Sequence, residues 1–109
     1  MGLLGKLFGV NKNDNPDFPF SDAKNTITIT CCHVIDEHHA ILYASHDEDD
    51  GMWQFLCGET HDTEEGRIVS LEEIFMRDRS ISVLATLPYG CEAWRKDENS
   101  DWTARRKQT

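Results

Sequence analysis

The chain has 109 residues, a formal net charge of -9 and an ordinary globular composition, 39% hydrophobic and 28% charged. A single domain of this length buries a modest core without disulfides or a metal. Its twenty acids face eleven bases, three of them near the C-terminus as Arg105-Arg106-Lys107, which excludes phosphate backbones and anionic membranes as natural partners, because affinity for either comes from clustered Lys and Arg.

Residues 1–10 place Leu3, Leu4, Leu7 and Phe8 at helical spacing, weakened by Gly2, Gly5 and Gly9. Asn11 to Pro16 reads as a linker that extends through Pro19. Residues 1–20 are thus expected to be an arm and linker, and residues 21–109 a single domain. Lys6 interrupts the first apolar stretch and no small-residue cleavage site follows, so no secretory signal is expected. Lys6 also stands where a myristoylation signal wants Ser or Thr. No run reaches the length of a membrane span. The expectation is a cytoplasmic protein whose four cysteines stay reduced.

Thr26 to Ile35 alternates and is rich in β-branched residues, which predicts a strand with Ile27, Ile29, Cys31 and Ile35 on one face and the threonines on the other. Asp36-Glu37-His38-His39 is a turn. Ala40 to His46 and Met52 to Cys57 follow as strands, with Asp50-Gly51 as the hairpin signal between them. Short connections predict an antiparallel meander. Gly58 to Gly66 is a polar loop. Ser70-Leu71-Glu72-Glu73 is a capping box, and Leu71, Ile74 and Phe75 form the buried stripe of the helix it opens. Asp78-Arg79-Ser80 breaks that helix and caps a second short one, in which Ile81, Leu84 and Ala85 face inward until Pro88. Tyr89 to Lys96 and a short segment around Trp102 are the last strands. The fold class is α+β: a twisted antiparallel sheet of four to five strands with one or two short helices packed on one face.

Between Asp36 and Glu73 lie twelve carboxylates and a single base, Arg67. The densest part, His46-Asp47-Glu48-Asp49-Asp50-Gly51, runs into Met52-Trp53-Gln54-Phe55. Such a cluster repels itself and destabilises a compact fold. It does not match a calcium loop, because counting from Asp47 puts Met52 and Gly58 where the EF-hand needs Gly and Glu. A structural zinc site shows paired ligands; adjacent Cys31 and Cys32 in a strand point to opposite faces and do not chelate together. Cysteines in strands are ordinarily inert buried thiols. No catalytic signature, metal site or cofactor is expected. The natural complement of the acidic tip is a basic protein surface, steered by Asp47, Glu48, Asp49 and Asp50, with Trp53 or Trp102 as an apolar anchor. Two other readings stand beside this one. The first is a metal-binding protein or metal-dependent hydrolase using His46, Asp47 and nearby histidines. The second is a housekeeping domain whose acidity serves solubility.

The stretch from Thr26 to Trp102 resembles a family of small bacterial domains, some of whose members are immunity proteins of polymorphic toxin systems. The resemblance rests on His46-Asp47, on Asp50-Gly51-Met52-Trp53-Gln54-Phe55 with Gly58, and on Ser70-Leu71-Glu72-Glu73-Ile74. It continues in Leu87-Pro88-Tyr89-Gly90, Ala93, Arg95 and Trp102. It implies an α+β fold and, for some members, neutralisation of a toxin domain, and it brings no catalytic residues.

Overall fold

The structure is a computed structural model that describes residues 18–59 and 62–108. The arm over residues 1–10, the linker up to residue 17 and His61 lie outside the described residues.

The β-branched run forms β1 (Ile27–Cys31). It ends sooner than its alternation predicts, because Cys32–Glu37 coils into a short helix, α1, followed by His38 at φ 57°. Tyr43–His46 forms β2 and Trp53–Leu56 forms β3. Past Gly58 a single turn of 3-10 helix, Thr63–Glu65, leads into β4 (Gly66–Ser70), a strand not expected from its own sequence. Ser70 then opens α2 (Leu71–Arg77) as expected: its hydroxyl accepts the Glu73 N–H at 3.1 Å, and Leu71, Ile74 and Phe75 are buried. The Asp78 carboxylate accepts the Ser80 N–H at 3.0 Å and caps a 3-10 segment, Arg79–Leu84, that buries Ile81 and Leu84. Cys91–Trp94 forms β5 and Thr103–Arg106 forms β6.

The fold class is α+β, with one six-stranded sheet in the order β4-β1-β3-β2-β5-β6. The sheet is mixed rather than antiparallel, and six strands exceed the expected four to five. β1 pairs with β3 in parallel, Thr28 opposite Trp53 and Ile29 opposite Gln54. The expected meander is therefore absent: β3 is inserted between β1 and β2. The cause is α1. A tight turn after β1 would lay β2 beside it, whereas a helix there carries the chain past a vacant position that β3 later fills. β4 completes the other side, paired with β1 over five residues from Ile27–Ser70 to Cys31–Gly66.

The inward face of β1 is its polar one. Thr28 and Thr30 are fully buried while Ile27 is 56% exposed. Both hydroxyls are satisfied: Thr28 donates to Val69 O at 3.0 Å and Thr30 to Phe55 O at 2.5 Å, so their burial carries no unpaired polar group. On the same face, Trp53, Phe55, Ala44 and Ala93 meet Val34 of α1, the buried stripe of α2 and Leu84. Phe20 belongs to this core, edge-on to Trp53 at 5.2 Å, and Phe18 packs on Phe75 at 5.9 Å. The packed domain thus already includes Phe18 and Phe20, ahead of the boundary at residue 21 that composition suggested.

Candidate functional site

The acidic hairpin tip is a built turn. Asp47 and Gly51 close it: the Asp47 N–H donates to Met52 O at 2.8 Å and the Gly51 N–H to Asp47 O at 3.0 Å. Asp50 Oδ1 accepts the Met52 N–H at 2.9 Å. Glu48, Asp49 and Asp50 are exposed. Arg106 and Lys107 fold back onto two of the tip's acids. Arg106 Nη2 lies 3.1 Å from Glu48 Oε1, and Lys107 Nζ lies 3.2 Å from Asp47 Oδ1. Asp47 also accepts from Ser45 Oγ at 3.0 Å and Gln54 Nε2 at 2.7 Å. Burial alone would raise its pKa, but these donors and Lys107 outweigh burial and hold the carboxyl below 3.8.

The four acids of the tip therefore divide. Asp47 is held by neighbours, Glu48 is paired, and Asp49 and Asp50 have no cationic partner among the described residues. A shallow groove of about 300 Å³ runs between this tip, Gly90 and Lys107.

The two tryptophans that the sequence offers as an anchor differ in exposure. Trp53 is only 1% exposed. The register sets it opposite His46 and Thr28 on the core side of the sheet. There its ring stacks on His46 at 3.8 Å and runs nearly parallel to Phe55 at 5.6 Å. A side chain so enclosed has no surface to offer a partner. Trp102 is half-buried, with the Arg95 guanidinium 4.4 Å from its ring centre. The exposed aromatic beside the tip is Tyr89, 59% exposed, its ring 4.4 Å from His46 and its edge close to Gly51. Its signal in the sequence was the Pro88-Tyr89-Gly90 turn, which reads instead as the start of a strand. The strand begins only at Cys91.

The sheet face away from the core carries a second polar cluster. Tyr43 donates to Glu92 Oε1 at 2.8 Å, and Arg105 Nε donates to Glu92 Oε2 at 2.8 Å. Arg105 also lies over Trp94 at 4.9 Å. The Arg105 hydrogen bond first, then that of Tyr43, holds the Glu92 carboxyl below 4.5. Burial and Glu92 together push Tyr43 up to about 12.

His46 and Asp47 do not converge on a common point. As strand neighbours they face opposite sides. His46 Nδ1 donates to Leu87 O at 2.8 Å inside the core, while Asp47 joins Ser45 and Gln54 on the other face. His38 and His39 sit exposed at the end of α1. The donor atoms that do converge come from elsewhere. Cys31, His33 and Cys57 place theirs within 4.8 Å of one another, as do Cys32, His33 and Glu65. Cys57 Sγ is 3.6 Å from His33 Nδ1. As a thiol–imidazole pair this is poorly suited to nucleophilic attack, because burial pushes the Cys57 thiol above 9.0.

No protein-family model matches the chain, and neither a curated protein nor a solved structure matches it. Among the described residues no helix is long and apolar enough to cross a membrane.

Proposed function

We propose that the protein is a non-catalytic binding module whose acidic hairpin tip docks on a basic protein surface. The observation that carries this reading is the pair Asp49 and Asp50, exposed and without cationic partners among the described residues, next to the exposed ring of Tyr89. Unpaired surface charge speeds encounter with an opposite surface, and an amphipathic aromatic ring beside it supplies contact area once docked. The resemblance to immunity-type domains favours a basic toxin domain as the partner and the cytoplasm as the place of action. Asp47 is set aside from the steering role, because its donors are intramolecular.

The test uses Asp49→Asn with Asp50→Asn, which removes two charges and leaves the Asp47 and Glu48 pairs intact. A basic protein recovered from the native cell should associate with the variant about tenfold more slowly than with wild type at low salt, and with weaker salt dependence. Equal association rates, or a partner that is itself acidic, would overturn the proposal.

A further inference from the structure

We propose that Cys31, Cys57 and His33 form a binding site for a zinc-class divalent ion. The site is distinct from the acidic tip and does not depend on the docking reading. Cys31 closes β1 and Cys57 follows β3. Because these strands are parallel neighbours, their C-terminal ends lie side by side and bring the two thiols together. His33 enters from the first turn of α1.

The spacing suits a tetrahedral ion. With Zn–S near 2.3 Å and Zn–N near 2.0–2.1 Å, a sulfur and a nitrogen on one zinc stand about 3.6 Å apart. Cys57 Sγ and His33 Nδ1 are 3.6 Å apart. Two sulfurs and an imidazole are the donor set that borderline-soft ions prefer over magnesium or calcium. The other His33 nitrogen has a carboxylate nearby: Nε2 lies 3.6 Å from Glu65 Oε2. A ligating histidine ordinarily gives its second ring nitrogen to a carboxylate, which fixes the tautomer and raises ligand basicity. A small side-chain shift brings Glu65 within reach for that task.

On binding, each thiol loses its proton to solvent and becomes a thiolate ligand, and neutral His33 donates its Nδ1 lone pair. The Nε2 proton then points at Glu65. Burial that disfavours a free thiolate at Cys57 is no obstacle, since a coordinated thiol is deprotonated outright by the ion's own charge. Three protein donors leave a fourth tetrahedral position for water.

The test uses the full, untagged, reduced chain titrated with Co²⁺ alone. One ion should bind per chain, with sulfur-to-cobalt charge-transfer absorption and release of about two protons. Zn²⁺ should displace it. Cys31→Ser and Cys57→Ser should each remove about half of the charge-transfer intensity and weaken binding at least about tenfold. His33→Gln, at a half-buried position, should weaken binding with the sulfur absorption retained, and so decides the matter even where a buried cysteine variant fails to fold. Glu65→Gln should weaken binding by about tenfold with an unchanged spectrum. Cys32→Ser should change neither. Absence of stoichiometric cobalt binding, affinity insensitive to His33→Gln, or loss of the sulfur band in Cys32→Ser overturns the proposal.

Discussion

Arg106 reaches across the sheet end to Glu48, its Nη2 3.1 Å from the carboxylate, and the pair closes over Gly90, whose backbone would carry any added Cβ to 2.9 Å from Glu48 Oε1. Gly90 has φ 83° and also joins the neighbouring elements, its N–H donating to His46 O and its carbonyl accepting from Lys107, both at 2.7 Å.

Gly90→Ala is expected to lower stability by about 1–2 kcal/mol through the left-handed backbone alone. Arg106→Gln should cost less than about 1 kcal/mol, because the ion pair it breaks is solvent-exposed. Urea unfolding of both variants checks the ranking. Equal losses would mean that the ion pair, and not the backbone conformation, is what position 90 protects.

Arg95 should be the most sensitive charged position among the described residues. Its Nε donates to Ile41 O at 2.9 Å, its Nη1 to Ser80 Oγ at 3.0 Å and its Nη2 to Asp78 Oδ2 at 3.1 Å, with Trp102 against its face. The Arg95 side chain is 2% exposed and that of Asp78 23%. Arg95→Ala leaves the Ile41 carbonyl without its donor and the Asp78 carboxylate without its cation in a poorly solvated place, and about 3 kcal/mol is expected to go. Arg95→Lys should recover little of this, since an ammonium does not reproduce the planar fork. Denaturation midpoints of the two variants measure it; wild-type stability in Arg95→Lys would show that charge alone suffices.

Tyr89 and Trp53 should separate binding from stability. Tyr89→Ala is expected to leave the fold within about 0.5 kcal/mol of wild type, as an exposed position does, while weakening the partner complex. Trp53→Ala should cost about 3–5 kcal/mol from a packed core. Thermal melts and titration calorimetry on both variants give the two readings, and a stable Trp53→Ala protein with impaired binding would restore Trp53 as the contact residue.

Stability should fall off at both ends of the pH scale for opposite reasons. Asp47 and Glu92 are held below their ordinary values of 3.8 and 4.5, so what they contribute is complete above those values and is lost as the pH drops. Tyr43 is raised from 10.0 to about 12, so its contribution is complete below pH 10.0 and disappears as the pH climbs towards about 12. Asp47→Asn should flatten the acid limb and Tyr43→Phe the alkaline limb. Unfolding free energies measured at intervals from acid to alkaline pH check both slopes.

Local signals carried much of this fold. The Ser70 cap, the Leu71, Ile74 and Phe75 stripe and the Asp50-Gly51 hairpin are short-range chemistry, and they are present as written. β4 was hidden because Gly66-Arg67-Ile68-Val69-Ser70 becomes a strand only by pairing with β1, an interaction that no local window contains. The inward turn of Thr28 and Thr30 was equally hidden, since its hydroxyl acceptors, Val69 O and Phe55 O, come from other strands. The same applies to the convergence of Cys31, His33 and Cys57. Adjacent Cys31 and Cys32 gave no chelating pattern, and only the parallel pairing of β1 with β3 makes a donor set from residues so far apart in sequence. The tip's acidity was plain, but its partial neutralisation by Arg106 and Lys107 depends on β6 folding back beside β5.

The place of β3 between β1 and β2 also favours one order of assembly. Of the described strands, β1 emerges from the ribosome first, before either of its neighbours, β3 and β4, has been made. The β2–β3 hairpin closes locally and early, and β1 then has to find it across a longer loop. Until it does, Ile27-Thr28-Ile29-Thr30-Cys31 is an unpaired, β-branched edge, the kind of segment that nascent chains misassociate through. The acidic residues clustered on the hairpin that receives it would keep such half-finished chains apart while they wait.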